Sequence, residues 1–465
     1  MLKNKTFSAS DGLKTKECTS VRQESMDESK LRVGLIGFGT VGTGVAKLLL
    51  EEADEIAART GVRLELACVI DKDTAARRQI RLPAGLLSDN IERLLNDPTI
   101  DVGIELVGGT TAARQIHHQL LRAGKHIVTA NKALLAEYGP ELYTAALETG
   151  KCIGFEASCC GGIPIILAIR TGLAANRILG LYGIFNGTCN YILTKMTQSG
   201  ADFKTVLAEA QAKGYAEADP TLDINGTDTA HKLAILGGLA FRRRISMNEI
   251  YTEGIERIEI EDIRNAREMG YVIKLLAIGE QNGDGSLSLR VHPSLVHQDN
   301  PLAAVSGPFN AVSIHGHAVG RTMFYGRGAG MMATASAVVA DLIEIGLGSI
   351  QRIFRTTPMV TGKYKEISIK PIENIECRFY IRLMAKDEPG VVAKYGRILA
   401  SHKISIRGAI QHEGRGPDNT VPVVITTHPT LERNMSNALE ELSRLKVISG
   451  RPVCIRIVDI PEDSE

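Results

Sequence analysis

Between Ala210 and Lys232 the chain reads AQAKGYAEADPTLDINGTDTAHK, so Glu217, Asp219, Asp223 and Asp228 crowd the approach to a single lysine. On a helix, a spacing of four puts Asp228 and Lys232 on one face. If that face meets water, the pair is a surface ion pair of only ~0.3–0.5 kcal/mol. The same residues have a chemical use: carboxylates can hold a substrate ammonium, and an acid beside a lysine sets its proton affinity. A second lysine, Lys132, closes the strand-like run HIVTANK. The carboxyl edge of a doubly wound sheet is where a cofactor binds, although a solvated lysine is the plain alternative.

The cofactor signal is Gly37-Phe38-Gly39-Thr40-Val41-Gly42, directly after the apolar run Arg32 to Ile36 and directly before a helical pattern. There Gly37 permits a tight turn, Gly39 lets backbone approach a pyrophosphate, and Gly42 allows close helix packing, while the helix N-terminus offers amide donors. Asp71, the acid after the second strand, falls later than the usual ~20 residues because the first helix is long. Asp71 favours the free 2′-hydroxyl of NAD, whereas Arg77 and Arg78 suit the 2′-phosphate of NADP, and the sequence leaves both open.

The elements around these residues divide the chain. A length of 465 residues predicts about three domains at ~150 residues each. From Leu31 to about Asn131, short β-branched runs alternate with helical patterns, including one from Val45 to Thr60. That is the pattern of an α/β Rossmann-type doubly wound parallel sheet, a dinucleotide-binding domain over 31–150 completed by about 331–360. An α+β domain is expected over 151–330. The tail, 375–460, reads strand, helix, strand, strand, helix, strand, a ferredoxin-like βαββαβ module expected to stand apart. Residues 1–30 are polar and read as a disordered extension.

Composition narrows the partners. Lysine plus arginine (54) balance aspartate plus glutamate (53), which argues against a nucleic-acid surface. No apolar run reaches the ~20 residues of a membrane span, so a soluble protein without membrane contact is expected. Eight cysteines without a CxxC pair suggest a reducing, cytoplasmic setting. Adjacent Cys159 and Cys160 are poorly placed for a disulfide and read as core residues. The pairs His117 and His118, and His315 and His317, have no companion cluster at ligand spacing for a catalytic metal.

The turn at Gly37 to Gly42, the run TANKALLA, the run FEASCCGGIPII and the acidic stretch ending at Lys232 together resemble homoserine dehydrogenase over Leu31 to Ile350. The resemblance implies reversible NAD(P)H-dependent reduction of L-aspartate 4-semialdehyde to L-homoserine in threonine, methionine and isoleucine biosynthesis. It implies that 151–330 is the catalytic and dimerisation domain, with Lys232 as proton donor to the aldehyde oxygen and Lys132 as a second active-site lysine near substrate and nicotinamide. Glu217, Asp228 and Asp223 would bind the amino-acid moiety. Thr110, Gly214 and Gly330 would join Gly37, Phe38, Gly39, Thr40, Val41, Gly42 and Lys132 in contacting the cofactor. The stretch Glu156 to Ile163 resembles the family's sodium loop, in which the Glu156 side chain and the carbonyls of Cys159, Gly161 and Ile163 surround a monovalent cation, Na+. An ordinary Gly-Gly turn before Pro164 is the alternative. The rival enzyme, a phosphorylating semialdehyde dehydrogenase, would need Cys159 or Cys160 as nucleophile. Phe379 to Leu383, the turn Asp387-Glu388-Pro389-Gly390 and the helix after it resemble an ACT domain. That resemblance implies an L-threonine effector and a homo-oligomer of two or four chains. Removing residues after about Asn374 would then leave turnover intact and abolish threonine inhibition.

Overall fold

The computed structural model describes residues 29–461 apart from Arg77, Lys365 and 412–418. The expected disordered extension thus lies outside the described residues, except that Ser29 and Lys30 open the first strand, β1 (Ser29–Ile36). With β2 (Val62–Ile70), β3 (Leu87–Ser88), β4 (Val102–Glu105), β5 (His126–Thr129) and β6 (Ile153–Gly154), it forms a six-stranded sheet in the order β3-β2-β1-β4-β5-β6. Every pairing in it is parallel. This is the Rossmann order, with its ligand crevice where the order reverses between β1 and β4. β4 is buried at all four residues, which is why VGIE and its neighbours read as an apolar run without alternation.

Two local expectations are corrected. The helix expected over Val45 to Thr60 is two helices, Thr40–Glu51 and Ala53–Thr60, broken at Glu52 and closed by left-handed Gly61. Lys132 does not end a strand. It is the first residue of the helix Lys132–Glu148, because the Asn131 side chain accepts the Leu134 amide and caps the helix start. Helix Met331–Gly346 returns to the first sheet and lies on Thr40–Glu51, so close that a methyl on Gly44 would sit 2.9 Å from Met331 Cγ.

The second sheet contains β7 (Ile178–Ile184), β8 (Tyr251–Thr252), β9 (Tyr271–Gln281), β10 (Leu287–His297), β11 (Phe309–Gly316) and β12 (Gly320–Arg327). The tail supplies β13 (Glu376–Lys386), helix Val391–Ser401, β14 (Ile406–Gln411), β15 (Thr420–Thr427), the short β16 (Thr430–Leu431), helix Glu432–Ser443 and β17 (Ile448–Ile457). The expected βαββαβ order is present, but its sheet does not stand apart. Strand order runs β12-β11-β7-β9-β10-β17-β13-β15-β14, with β17 joined in parallel to β10 at Ser294/Arg456 and Leu295/Ile457.

The period of two along β13 explains how the tail is held on both faces. Phe379, Ile381, Leu383 and Ala385 enter the tail's own core with Leu399, Met435 and Leu442. Their neighbours Tyr380 and Arg382 turn the other way, onto helix Ile260–Glu268. Arg382 Nε donates to Asp262 Oδ1 at 2.7 Å and its Nη2 to Glu259 Oε2 at 2.6 Å, while the Tyr380 hydroxyl donates to Asp262 Oδ1 at 3.0 Å. Among the described residues no helix is long and apolar enough to cross a membrane.

Candidate active site

The acidic stretch ends in a helix, Thr227–Ala240, that begins after Gly226, a residue whose φ of +87° suits glycine. From Asp228 to Ala240 every residue of it is buried. The Asp228/Lys232 face is therefore interior, and the reading as a surface ion pair is excluded. Asp228 Oδ2 lies 2.8 Å from Lys232 Nζ and Oδ1 lies 3.0 Å from Lys132 Nζ, so one carboxylate bridges two lysines. Lys232 also donates to the Phe185 carbonyl at 2.7 Å. Its side chain is 11% exposed against 38% for Lys132, so Lys232 is the desolvated member of the pair.

Burial alone would push the Asp228 carboxyl up, but Lys232 and Lys132 hold it well below the usual carboxylate range. Burial would likewise depress Lys232, and the Asp228 charge overrides it, keeping the ammonium protonated above its ordinary range. The arrangement is a buried ammonium kept charged by its carboxylate neighbour, a group chemically able to give up a proton.

A residue that sequence reading missed ties this centre together. The Asn186 side chain accepts the Cys189 amide, capping helix Gly187–Ser199, and its own amide donates to Asp223 Oδ1 at 2.7 Å and Asp228 Oδ2 at 2.9 Å. The signal was the strand-to-helix junction Phe185-Asn186-Gly187-Thr188, a capping signature whose second job is invisible in one dimension. Burial pushes the Asp223 carboxyl up. Lys132, Asp223, Asp228 and Lys232 thus share one network. Glu217 does not join it: its carboxylate is exposed and, among the described residues, unpartnered, while its carbonyl accepts Gln211 Nε2 at 3.2 Å. Asp219 is spent on Thr221, accepting both its amide and its hydroxyl.

Cys159 and Cys160 line the same interior, with Cys159 Sγ 4.0 Å from the Lys232 carbonyl and the Asn310 amide 3.5 Å from Cys160 Sγ. Burial pushes both thiols up, so neither is a ready thiolate nucleophile. Glu156 is buried too, but its carboxylate accepts the amides of Ile166 at 2.9 Å and Leu167 at 2.7 Å. Burial pushes its carboxyl up to about 7 against those two amides. No group of three or more His, Cys, Asp or Glu positioned for a metal occurs among the described residues. His117 bonds Glu105 and His118 bonds Glu141.

At the phosphate turn, Gly37 has φ +96° and a methyl there would sit 2.7 Å from the Leu106 carbonyl; on Gly42 it would sit 2.1 Å from that of Gly37. On Gly39, the cap of Thr40–Glu51, a methyl would meet nothing within 4 Å, which leaves the helix start open to an anion. The same open space lies over Gly214 and over Gly330, the cap of Met331–Gly346. Thr110 stands immediately before helix Thr111–Arg122, and the preceding Gly109 carbonyl accepts the Asn131 side-chain amide at 2.7 Å, joining this loop to the start of the Lys132 helix. Beside the turn, Asp71 is already engaged: Oδ2 accepts the Phe38 amide at 2.6 Å and Oδ1 lies 3.2 Å from Arg78. Arg78 stacks over Phe38, and both line a cleft of about 250 Å³ with Arg81. Arg77 lies outside the described residues.

Comparison with known proteins gives three matches in chain order. Residues 37–156 match the family described as homoserine dehydrogenase, NAD binding domain; 164–343 match homoserine dehydrogenase; 379–447 match the ACT domain. The chain is 43% identical over 433 residues to a homoserine dehydrogenase of Pseudomonas aeruginosa, covering 92% of this chain and 98% of that one. A homoserine dehydrogenase of Neisseria gonorrhoeae is 41% identical over 430 residues, with 92% and 98% covered. The crystal structure of a homoserine dehydrogenase from Thiobacillus denitrificans aligns with a TM-score of 0.85 at 42% identity, again over 92% and 98%.

Proposed function

The chain belongs to the homoserine dehydrogenase family, and from that premise we propose that Lys232 is the proton donor in reduction of L-aspartate 4-semialdehyde to L-homoserine. The observation that carries this is the Asp228 carboxylate bridging two lysines in the interior. A nicotinamide dinucleotide whose pyrophosphate is held by the Gly37–Gly42 turn would supply the hydride. Alkoxide charge then builds on the aldehyde oxygen, and a desolvated ammonium stabilises that charge and hands over a proton. In homoserine oxidation the same nitrogen takes the proton back. Lys132, less buried, orients substrate and nicotinamide, while Asp228 and Asp223 present negative charge to the substrate ammonium. Glu217 would join them only if its loop closed on bound substrate. Thr110, Gly214 and Gly330 are proposed cofactor contacts with the turn, and 31–150 with 331–360 is the proposed cofactor-binding unit. The test is NAD(P)+ reduction by L-homoserine: Lys232→Ala should lose about 10²–10⁴-fold in kcat, the usual worth of a positioned acid. Full turnover in that variant removes Lys232 from the role.

Finer readings are proposed beside it. Asp71 is committed to Phe38 and Arg78, and two arginines face the adjoining cleft, so the adenosine end is proposed to carry the 2′-phosphate of NADP. Arg78→Ala should then lower kcat/KM for NADP+ more than that for NAD+; an equal loss for both would sink the 2′-phosphate reading. Because the amides of Ile166 and Leu167 take the Glu156 carboxylate, a Na+ at 156–163 would rest on the carbonyls of Cys159, Gly161 and Ile163. A Tm gain for sodium over choline tests the ion. L-threonine is the proposed effector through the ACT domain, in a homo-oligomer of two or four chains. Homoserine oxidation with and without L-threonine, and sedimentation, test these two readings.

A further inference from the structure

The tail reaches the candidate site through a short, fully bonded path. Arg456, buried on β17, grips Glu432 with two bonds, Nε to Oε2 at 2.9 Å and Nη2 to Oε1 at 2.6 Å, which ties it to helix Glu432–Ser443 of the tail. Its remaining donors cross to the catalytic region. Nη1 donates to Glu253 Oε2 at 2.6 Å and Nη2 to the Tyr251 hydroxyl at 3.1 Å, and the guanidinium lies 4.9 Å from the Tyr251 ring. Tyr251 donates in turn to Glu253 Oε2 at 3.0 Å.

Immediately beyond Glu253 the backbone presses on the acidic turn. The Ile255 amide donates to the Ile224 carbonyl at 2.8 Å. A methyl on Gly254 would sit 2.2 Å from the Ile224 carbonyl oxygen and 2.5 Å from Asn225 Cα; one on Gly226 would sit 3.1 Å from Thr252 Cγ2 and 3.3 Å from the Glu253 carbonyl oxygen. Contacts this close leave little room to move one segment without the other. Ile224 follows Asp223, and Gly226 caps the helix that carries Asp228 and Lys232.

We propose that Arg456 of the C-terminal domain is a positioning residue for substrate: through Glu253 and Gly254 it fixes the 223–228 turn, and with it the carboxylates of Asp223 and Asp228. The inference rests on those two carboxylates binding the substrate ammonium. It places control of homoserine affinity in the tail and leaves cofactor affinity to the other sheet.

The test uses the full-length chain. Glu253→Gln keeps shape and leaves Arg456 paired with Glu432; Arg456→Met removes the grip altogether. Each should raise KM for L-homoserine about tenfold, with KM for NAD(P)+ within twofold, and the double variant should be no worse than the worse single one, since both break one path. A merely structural role would move both KM values and give additive losses. If Arg456→Met does not fold, the Glu253→Gln split decides alone. Unchanged homoserine KM in Glu253→Gln overturns the proposal. Asp228→Asn is the control: if it too leaves homoserine KM unchanged, the assignment of the carboxylates is what has failed, and the proposal fails with it.

Discussion

At the scale of single residues, the site turns on one shared carboxylate. Asp228 raises the proton affinity of Lys232 against a burial that would lower it. Homoserine oxidation needs the neutral amine, so its rate rises with pH only as Lys232 loses its proton. In Asp228→Asn the raising charge is gone, while burial and the Lys132 ammonium remain. The ascending limb of kcat/KM for homoserine oxidation should therefore move to lower pH, by ~1–3 units for loss of an adjacent opposite charge. A limb that stays put, or moves up, contradicts the assignment of Lys232 as the titrating group. The buried thiols of Cys159 and Cys160 make a second statement at this scale: a cysteine mechanism would need one of them ionised, and both are pushed the other way.

Elements carry the next set of consequences. Gly39 and Gly42 stand on one helix start but answer to different constraints. Gly42→Ala drives a methyl into the Gly37 carbonyl and should cost ~1–3 kcal/mol of stability, read as a lowered Tm. Gly39→Ala meets open space, so Tm should hold while KM for NAD(P)+ rises several-fold; the reverse pattern would mean that the turn faces another way. The Rossmann order was legible because β-branched runs alternate with helical ones and glycines mark the turns. The acidic run ahead of Lys232 was legible as a cluster. Three features were not. Asn186 acts through side-chain bonds to residues far along the chain. Glu217 and Asp228 have the same chemistry in sequence, and only burial separates them. Lys132 shifted from strand end to helix start because an asparagine cap outweighed the apolar run before it. In the first two cases the deciding term is tertiary contact, which periodicity does not encode; in the third it is a local side-chain cap.

Across the whole molecule, the tail is joined to the catalytic region by a shared sheet and buried ion pairs. Ending the chain after Asn374 would bare the β10 edge at Ser294 and Leu295 and strip Arg382 and Tyr380 from Asp262, which is fully buried. The truncated chain should therefore show a lower soluble yield, a lower Tm and reduced turnover, not intact catalysis freed of inhibition. A soluble fragment with full turnover would restore the modular picture. The shared sheet also sets a schedule for synthesis. β10 is complete at His297, yet its parallel neighbour β17 begins only at Ile448, so the strand emerges from the ribosome long before the one that covers its edge. Non-local pairing of this kind is slow, and an unpaired edge is the surface on which nascent chains stick to one another. During synthesis the catalytic region must therefore wait, partly uncovered, for the C-terminal domain to arrive.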